Sequence, residues 1–157
     1  MAQEIERKFL LADDRWRSSV AESARIKDGL VANTNGRKTR VRIIGERATI
    51  TLKGQRHGLA RSEFEYAIPV SDAEEILHTM CDGRIVEKIR HYVPHAGVTW
   101  EIDVYHGSLT GIVIAEVELK REDFELKLPD WIGEEITGDP RYSKINMEAA
   151  ANRPEQP

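Results

Sequence analysis

The opening stretch MAQEIERKFLL, residues 1–11, sets Glu4, Glu6 and Lys8 at every second position, with Ile5 between the two acids and Phe9 after the lysine. In an extended chain successive side chains point to opposite faces, so the three charges share one face while Ile5 and Phe9 take the other. Taken alone, this is the half-solvated strand of an ordinary antiparallel sheet. The pattern recurs along the chain, however. Arg40 and Arg42 flank Val41, Lys53 follows Leu52, and Arg61, Glu63 and Glu65 alternate around Phe64. Lys88 and Arg90 flank Ile89, Glu101 and Asp103 flank Ile102, and Glu116, Glu118 and Lys120 flank Val117 and Leu119. A solvated face mixes Ser, Thr, Asn and Gln among its charges; these rows hold few of them.

The signs carry more information than the number of charges. Side chains at i and i+2 of a strand lie ~6.5–7 Å apart on one face, so the pairs Glu4/Glu6, Arg40/Arg42, Lys88/Arg90, Glu101/Asp103 and Glu116/Glu118 each repel. On an open surface that repulsion costs tenths of a kcal/mol, whereas a concave site focuses it until a multivalent ligand neutralises it. Paired acids call for a divalent metal, and paired bases call for phosphate.

Turn signals such as Asn35-Gly36 and Gly45-Glu46 divide the chain into eight strands, near residues 3–10, 25–32, 37–44, 47–53, 61–68, 84–93, 98–105 and 112–120. Ser71 and Glu74 read as a capping box for a helix over 72–80, Asp13 as the cap of a short helix through Ala24, and Asp139-Pro140 as the start of a C-terminal helix through Met147. Residues 152–157 read as a frayed tail. Eight antiparallel strands suit closure, and the predicted fold is α+β: a closed eight-stranded antiparallel barrel with a few helices outside it and a C-terminal helix. The arrangement is inverted, with charge lining the lumen and the Ile, Val, Leu and Phe positions facing out under the helices.

A chain of 157 residues fits one domain, and a net charge of −4 argues against a surface built to bind duplex nucleic acid. Cys81 is the only cysteine, so no intramolecular disulfide forms and no thiolate metal cluster is available, and the five histidines form no H-E-x-x-H motif. Neither a secretory leader nor a membrane-length apolar run is present in the sequence, so the expectation is a cytoplasmic protein without a membrane partner. Carboxylates without His or Cys select a hard cation, Mg²⁺ or Mn²⁺, and Arg adds bidentate geometry toward phosphate.

The residues that carry this pattern resemble a known family. Glu4-Ile5-Glu6-Arg7-Lys8 is similar to the E-x-E-x-K signature of the CYTH domain, the triphosphate tunnel metalloenzymes. "RVR" at 40–42, "TLKG" with Lys53, "RSEFEY" at 61–66, "EKIRHYV", "WEIDVYHG", "AEVEL" and "WIGEEITGDPRYS" follow in the family's order. The resemblance implies a tunnel in which basic residues grip a triphosphate and acids bind the metals that hydrolysis needs. It implies Glu4, Glu6, Glu116 and Glu118 as metal ligands, and Glu63, Glu65 and Asp103 as candidates for a second metal or its bound water. Arg40, Arg42, Lys53, Arg61, Lys88 and Arg90 become the phosphate-gripping set, and Lys8 orients substrate or water. Glu101 is left between a metal role and pairing with a basic neighbour. Two positions depart from the family, Leu30 where Tyr is common and Lys144 where Asn is common. The implied activity is metal-dependent hydrolysis of inorganic triphosphate. The alternatives are a class IV adenylate cyclase, a nucleoside or thiamine triphosphatase, or a polyphosphate-binding module without turnover; a homodimer is left open. Trp16, Trp100 and Trp131 read as packing residues rather than a base-stacking platform.

Overall fold

The computed structural model describes residues 3–143, 146, 147 and 150. Among them are nine strands: β1 Gln3–Leu11, β2 Glu22–Thr34, β3 Arg37–Ile44, β4 Arg47–Lys53, β5 Ala60–Ile68, β6 Ile85–His95, β7 Val98–Tyr105, β8 Val113–Glu118 and β9 Ile132–Glu135. One α-helix, α1 Val70–Thr79, follows β5. The pairing order is β5-β4-β3-β2-β6-β7-β8-β1, and Gln3, Glu4 and Ile5 pair back onto Ser62, Arg61 and Ala60 to close an eight-stranded antiparallel barrel. At the first hairpin Asn35 and Gly36 take φ of 53° and 79°, the left-handed pair that a tight two-residue turn requires.

The ninth strand was not expected. β9 adds to β1 outside the ring, pairing at Phe9 and Leu11, and Arg7 pins it with a two-pronged contact to Glu135 at 2.9 and 2.6 Å. A Cβ on Gly133 would lie 3.1 Å from the Leu10 carbonyl oxygen, so the close approach of β9 favours glycine there.

The core lies outside the barrel, as the inverted pattern predicts. Phe9, Trp100, Ile102, Ala115 and Val117 project outward and are covered by Trp16 and Trp131. A second outer cluster joins Val41 and Ala48 to Ala73 and Leu77 of α1 and to the buried Cys81. Gly29 on β2 lies beneath that helix, where an added Cβ would stand 2.6 Å from Leu77 Cδ2 and 2.7 Å from Cys81 Sγ. Gly29→Ala is therefore expected to lower the free energy of unfolding by about 1–3 kcal/mol in denaturant titrations, the usual cost of overpacking. At one end the inward-facing row turns apolar, where Val86, Tyr105 and Ile114 pack against Leu109, Ile136 and Met147.

Three helix expectations change. The segment from Asp13 to Ala24 contains only the 3₁₀ turn Arg15–Ser19, because β2 already begins at Glu22 and its ladder to β6, starting at Glu22 and Tyr92, outweighs local helix propensity. The helix α1 starts at Val70, after an extended Pro69, with no side-chain cap; Ser71 falls inside its first turn and Glu74 pairs with Lys27 at 3.9 Å instead. Asp139 does cap, accepting from the Arg141 backbone N–H at 3.0 Å, but it opens the 3₁₀ turn Pro140–Tyr142, and helical backbone is found at the described residues Asn146, Met147 and Ala150. Lys144, part of the segment leading to the alanine cluster and the tail 152–157 lie outside the described residues. Among the described residues no helix is long and apolar enough to cross a membrane.

Candidate functional site

Strand parity delivers the charged rows into a single lumen cavity of about 360 Å³. Around the ring the signs separate. β8, β1 and β5 are neighbours and contribute Glu116, Glu118, Glu4, Glu6, Glu63 and Glu65. Across the lumen β3, β2 and β6 are neighbours, and β3 and β6 contribute Lys38, Arg40, Arg42, Lys88 and Arg90. Lys8 stands within the acidic arc, 3.7 Å from Glu6 and 3.6 Å from Glu116. Lys53, on β4 between the two arcs, bridges Glu4 at 3.1 Å and Glu63 at 3.0 Å.

The basic arc is held by acids set across the sheet from it. Asp28 pairs in register with Arg42 and grips its guanidinium at 2.7 and 2.8 Å. Asp103 pairs with Arg90, accepting from Nε at 2.8 Å and Nη2 at 3.0 Å, and also accepts from Lys88 Nζ at 2.7 Å. Burial pushes the Asp103 carboxyl up, but Lys88 and Arg90 outweigh it and hold the group below its ordinary value. Asp103 is fully buried, and its oxygens are taken by Arg90 and Lys88, so it anchors both cations. Glu101 resolves toward pairing, with Arg90 Nη1 at 2.5 Å. Arg61 lines the lumen, but its guanidinium donates to the Gly54 carbonyl at 2.9 Å and the Gly36 carbonyl at 3.3 Å, tying two rim loops together.

Arg40 differs from its neighbours. Its Nε is buried without a hydrogen-bond partner among the described residues, and burial together with Arg42 presses its pKa below the ordinary guanidinium value. A buried donor left unmade costs about 1–3 kcal/mol, so this position calls for an anion.

The acidic arc has the converse need. Glu6 lies opposite Glu118 in register, and Glu101 opposite Glu116. Burial, then Glu116, raise the Glu6 pKa; burial, then Glu4, Glu63 and Glu6, raise that of Glu118. Glu116 behaves differently: burial pushes it up, but Lys8, Arg90, Lys88 and Lys53 hold it well below the usual carboxylate range. Among the described residues no three acids, histidines or cysteines stand grouped tightly enough to cage a metal by themselves. An oxygen-only set in loose pairs nevertheless suits a small hard cation, which takes one or two carboxylates and completes its shell with phosphate and water.

Sequence reasoning missed three charged residues of this site. Lys38 shares the face of Arg40 and Arg42 on β3, a signal present in the alternation of residues 37–42. Asp28 stands alone between Ile26 and Leu30 on its face of the second strand, so no charged row marks it, and Arg56 lies in the loop between β4 and β5, where no period points inward.

The family profile of the CYTH domain matches residues 2–150. The chain is 41% identical over 147 residues to the inorganic triphosphatase of Acetivibrio thermocellus, covering 94% of each chain. It is 37% identical over 144 residues to the inorganic triphosphatase of Nitrosomonas europaea, covering 88% of this chain and 92% of that one. The crystal structure of the inorganic triphosphatase NE1496 superposes with a TM-score of 0.64 at 33% identity, covering 99% of both chains.

Proposed function

The chain belongs to the CYTH domain family, and from that premise we propose that it is a divalent-metal-dependent hydrolase that cleaves the terminal phosphoanhydride of inorganic triphosphate. The observation that carries this reading is the sign-separated lumen, in which Arg40, Arg42, Lys88 and Arg90 and the paired glutamates line one cavity of a size suited to a small polyanion. Two relatives that match nearly the whole chain are inorganic triphosphatases, which supports the same substrate.

In this reading Arg40, Arg42, Lys88 and Arg90 hold the phosphates and neutralise charge that builds on the transferred group, the main demand of phosphoryl transfer. Glu4, Glu6, Glu116 and Glu118 would hold Mg²⁺ or Mn²⁺. Such an ion would supply positive charge to the phosphates and would make a nearby attacking water more acidic. Lys8, between Glu6 and Glu116, orients substrate or water, and Glu63 and Glu65 stand on the same arc to accept a proton from that water. Water adds to the terminal phosphorus, the bond to the bridging oxygen breaks, and orthophosphate and pyrophosphate leave. No side-chain nucleophile is required.

A cyclase would also need a platform for a base. Trp100 and Trp131 instead stack edge to face at 5.9 Å in the outer core, and Trp16 is fully buried there. The test is a phosphate-release screen of the purified protein with triphosphate, ATP, GTP and thiamine triphosphate, each with Mg²⁺, Mn²⁺ or EDTA. Metal-dependent release, fastest from triphosphate, is expected. Cyclic AMP from ATP with no release from triphosphate would overturn the reading in favour of a cyclase, and binding without release would overturn it in favour of a binding module.

A further inference from the structure

One mouth of the barrel is built by the Asn35-Gly36 turn and the loop between β4 and β5, which Arg61 ties together through the Gly36 and Gly54 carbonyls. Five cations gather at this mouth, and four of them meet an acid or a carbonyl. Lys53 is taken by Glu4 and Glu63, Arg61 by the Gly36 and Gly54 carbonyls, and Lys8 by Glu6 and Glu116. Two still carry an unmet need. Lys38 lies directly opposite Lys53 in the sheet and lines the lumen with no ion pair or hydrogen bond among the described residues. Arg56 reaches in from the loop, pairs with Glu6 through Nη2 at 3.5 Å, and keeps Nη1 buried without a hydrogen-bond partner among the described residues. Like charges set opposite each other and a buried guanidinium donor with no acceptor are both unfavourable in the free protein, and one anion relieves both.

We propose that Lys38 and Arg56 form a second anion subsite at this mouth, which holds one terminal phosphate of the polyphosphate chain while the β3 and β6 cations hold the rest. The proposal rests on the triphosphatase reading. It also carries a proton. Burial, followed by Arg61, Lys8, Lys53 and Arg56, lowers the Lys38 pKa to about 8. A phosphate placed against Lys38 restores its charge, so binding near that pH draws in a proton.

The test is calorimetry of the full-length protein with tripolyphosphate in EDTA at pH 8, in two buffers of different ionisation enthalpy, alongside steady-state kinetics with Mg²⁺. Lys38→Met and Arg56→Gln are each expected to weaken tripolyphosphate affinity about 10-fold and to raise KM by a similar factor with little change in kcat, the scale of one charge-assisted hydrogen bond. Lys38→Arg should keep the affinity while the net proton count falls by about half a proton relative to wild type, because a guanidinium stays charged in both states. If both neutral variants bind and turn over like wild type, with an unchanged proton count, the subsite does not exist. If the wild-type protein binds with this proton uptake and releases no phosphate with any metal, the subsite stands and the hydrolase reading fails.

Discussion

Glu116→Gln is expected to lower phosphate release from triphosphate by about 10²–10³-fold in kcat, the cost of removing one charge aimed at a phosphoryl-transfer site, while metal-free binding of triphosphate is kept or tightened. Glu116 faces Lys8 at 3.6 Å and Arg90 at 3.7 Å, and these cations hold it ionised far below neutral pH. Its charge is therefore available at any working pH. A carboxylate placed beside an anion site weakens anion binding unless a cation intervenes, so neutralising it should help binding and harm turnover. Single-turnover phosphate release and calorimetry on the same variant separate the two effects. A variant that turned over normally would remove the acidic arc from the mechanism.

The second large effect is on stability. Asp103→Asn leaves Lys88 and Arg90 buried without the carboxylate they share, and breaking a buried ion pair from one side typically costs about 3–5 kcal/mol. Asp103 accepts from both cations at 2.7–3.0 Å, and Asp28, the other acid near Lys88, stands at 3.9 Å. The sign with pH follows from the depressed carboxyl. Its contribution is fully present above the ordinary aspartate value of 3.8 and is lost as pH falls through the lower folded-state value. The gap between wild type and Asp103→Asn in urea titrations should therefore be widest near neutrality and narrow below pH ~4. A gap that did not change with pH would mean that Asp103 acts through packing and not through charge.

The barrel and its inversion were legible because a period of two carries both facts at once: Ile5, Val41, Ile89 and Val117 sit on the opposite parity to Glu4, Arg40, Lys88 and Glu116, and one face had to be the lumen. Most of the lumen charges could be found in the same way. Alternation could not tell a charge that lines the cavity from one that lies behind it. Asp103 shares the parity of Glu101, yet sits where Arg90 and Lys88 close over both its oxygens. Arg61 likewise has lumen parity but spends its donors on loop carbonyls. β9 was missed because four residues carry too little period to register and because its partner, β1, is more than a hundred residues away in the chain. Arg56 was missed because position in a loop is set by tertiary contacts, here the Arg61 bridge, and not by local sequence.

The central claim is that the acidic and basic arcs converge on one triphosphate and its metal inside the barrel. The most direct measurement is anomalous diffraction from a crystal of the wild-type protein grown with Mn²⁺ and a non-hydrolysable imidotriphosphate. The account predicts an anomalous peak among Glu4, Glu6, Glu116 and Glu118, with phosphate density running from it to Arg40 and Arg42. Triphosphate or manganese found only on the outer wall, with the lumen holding neither, would contradict it.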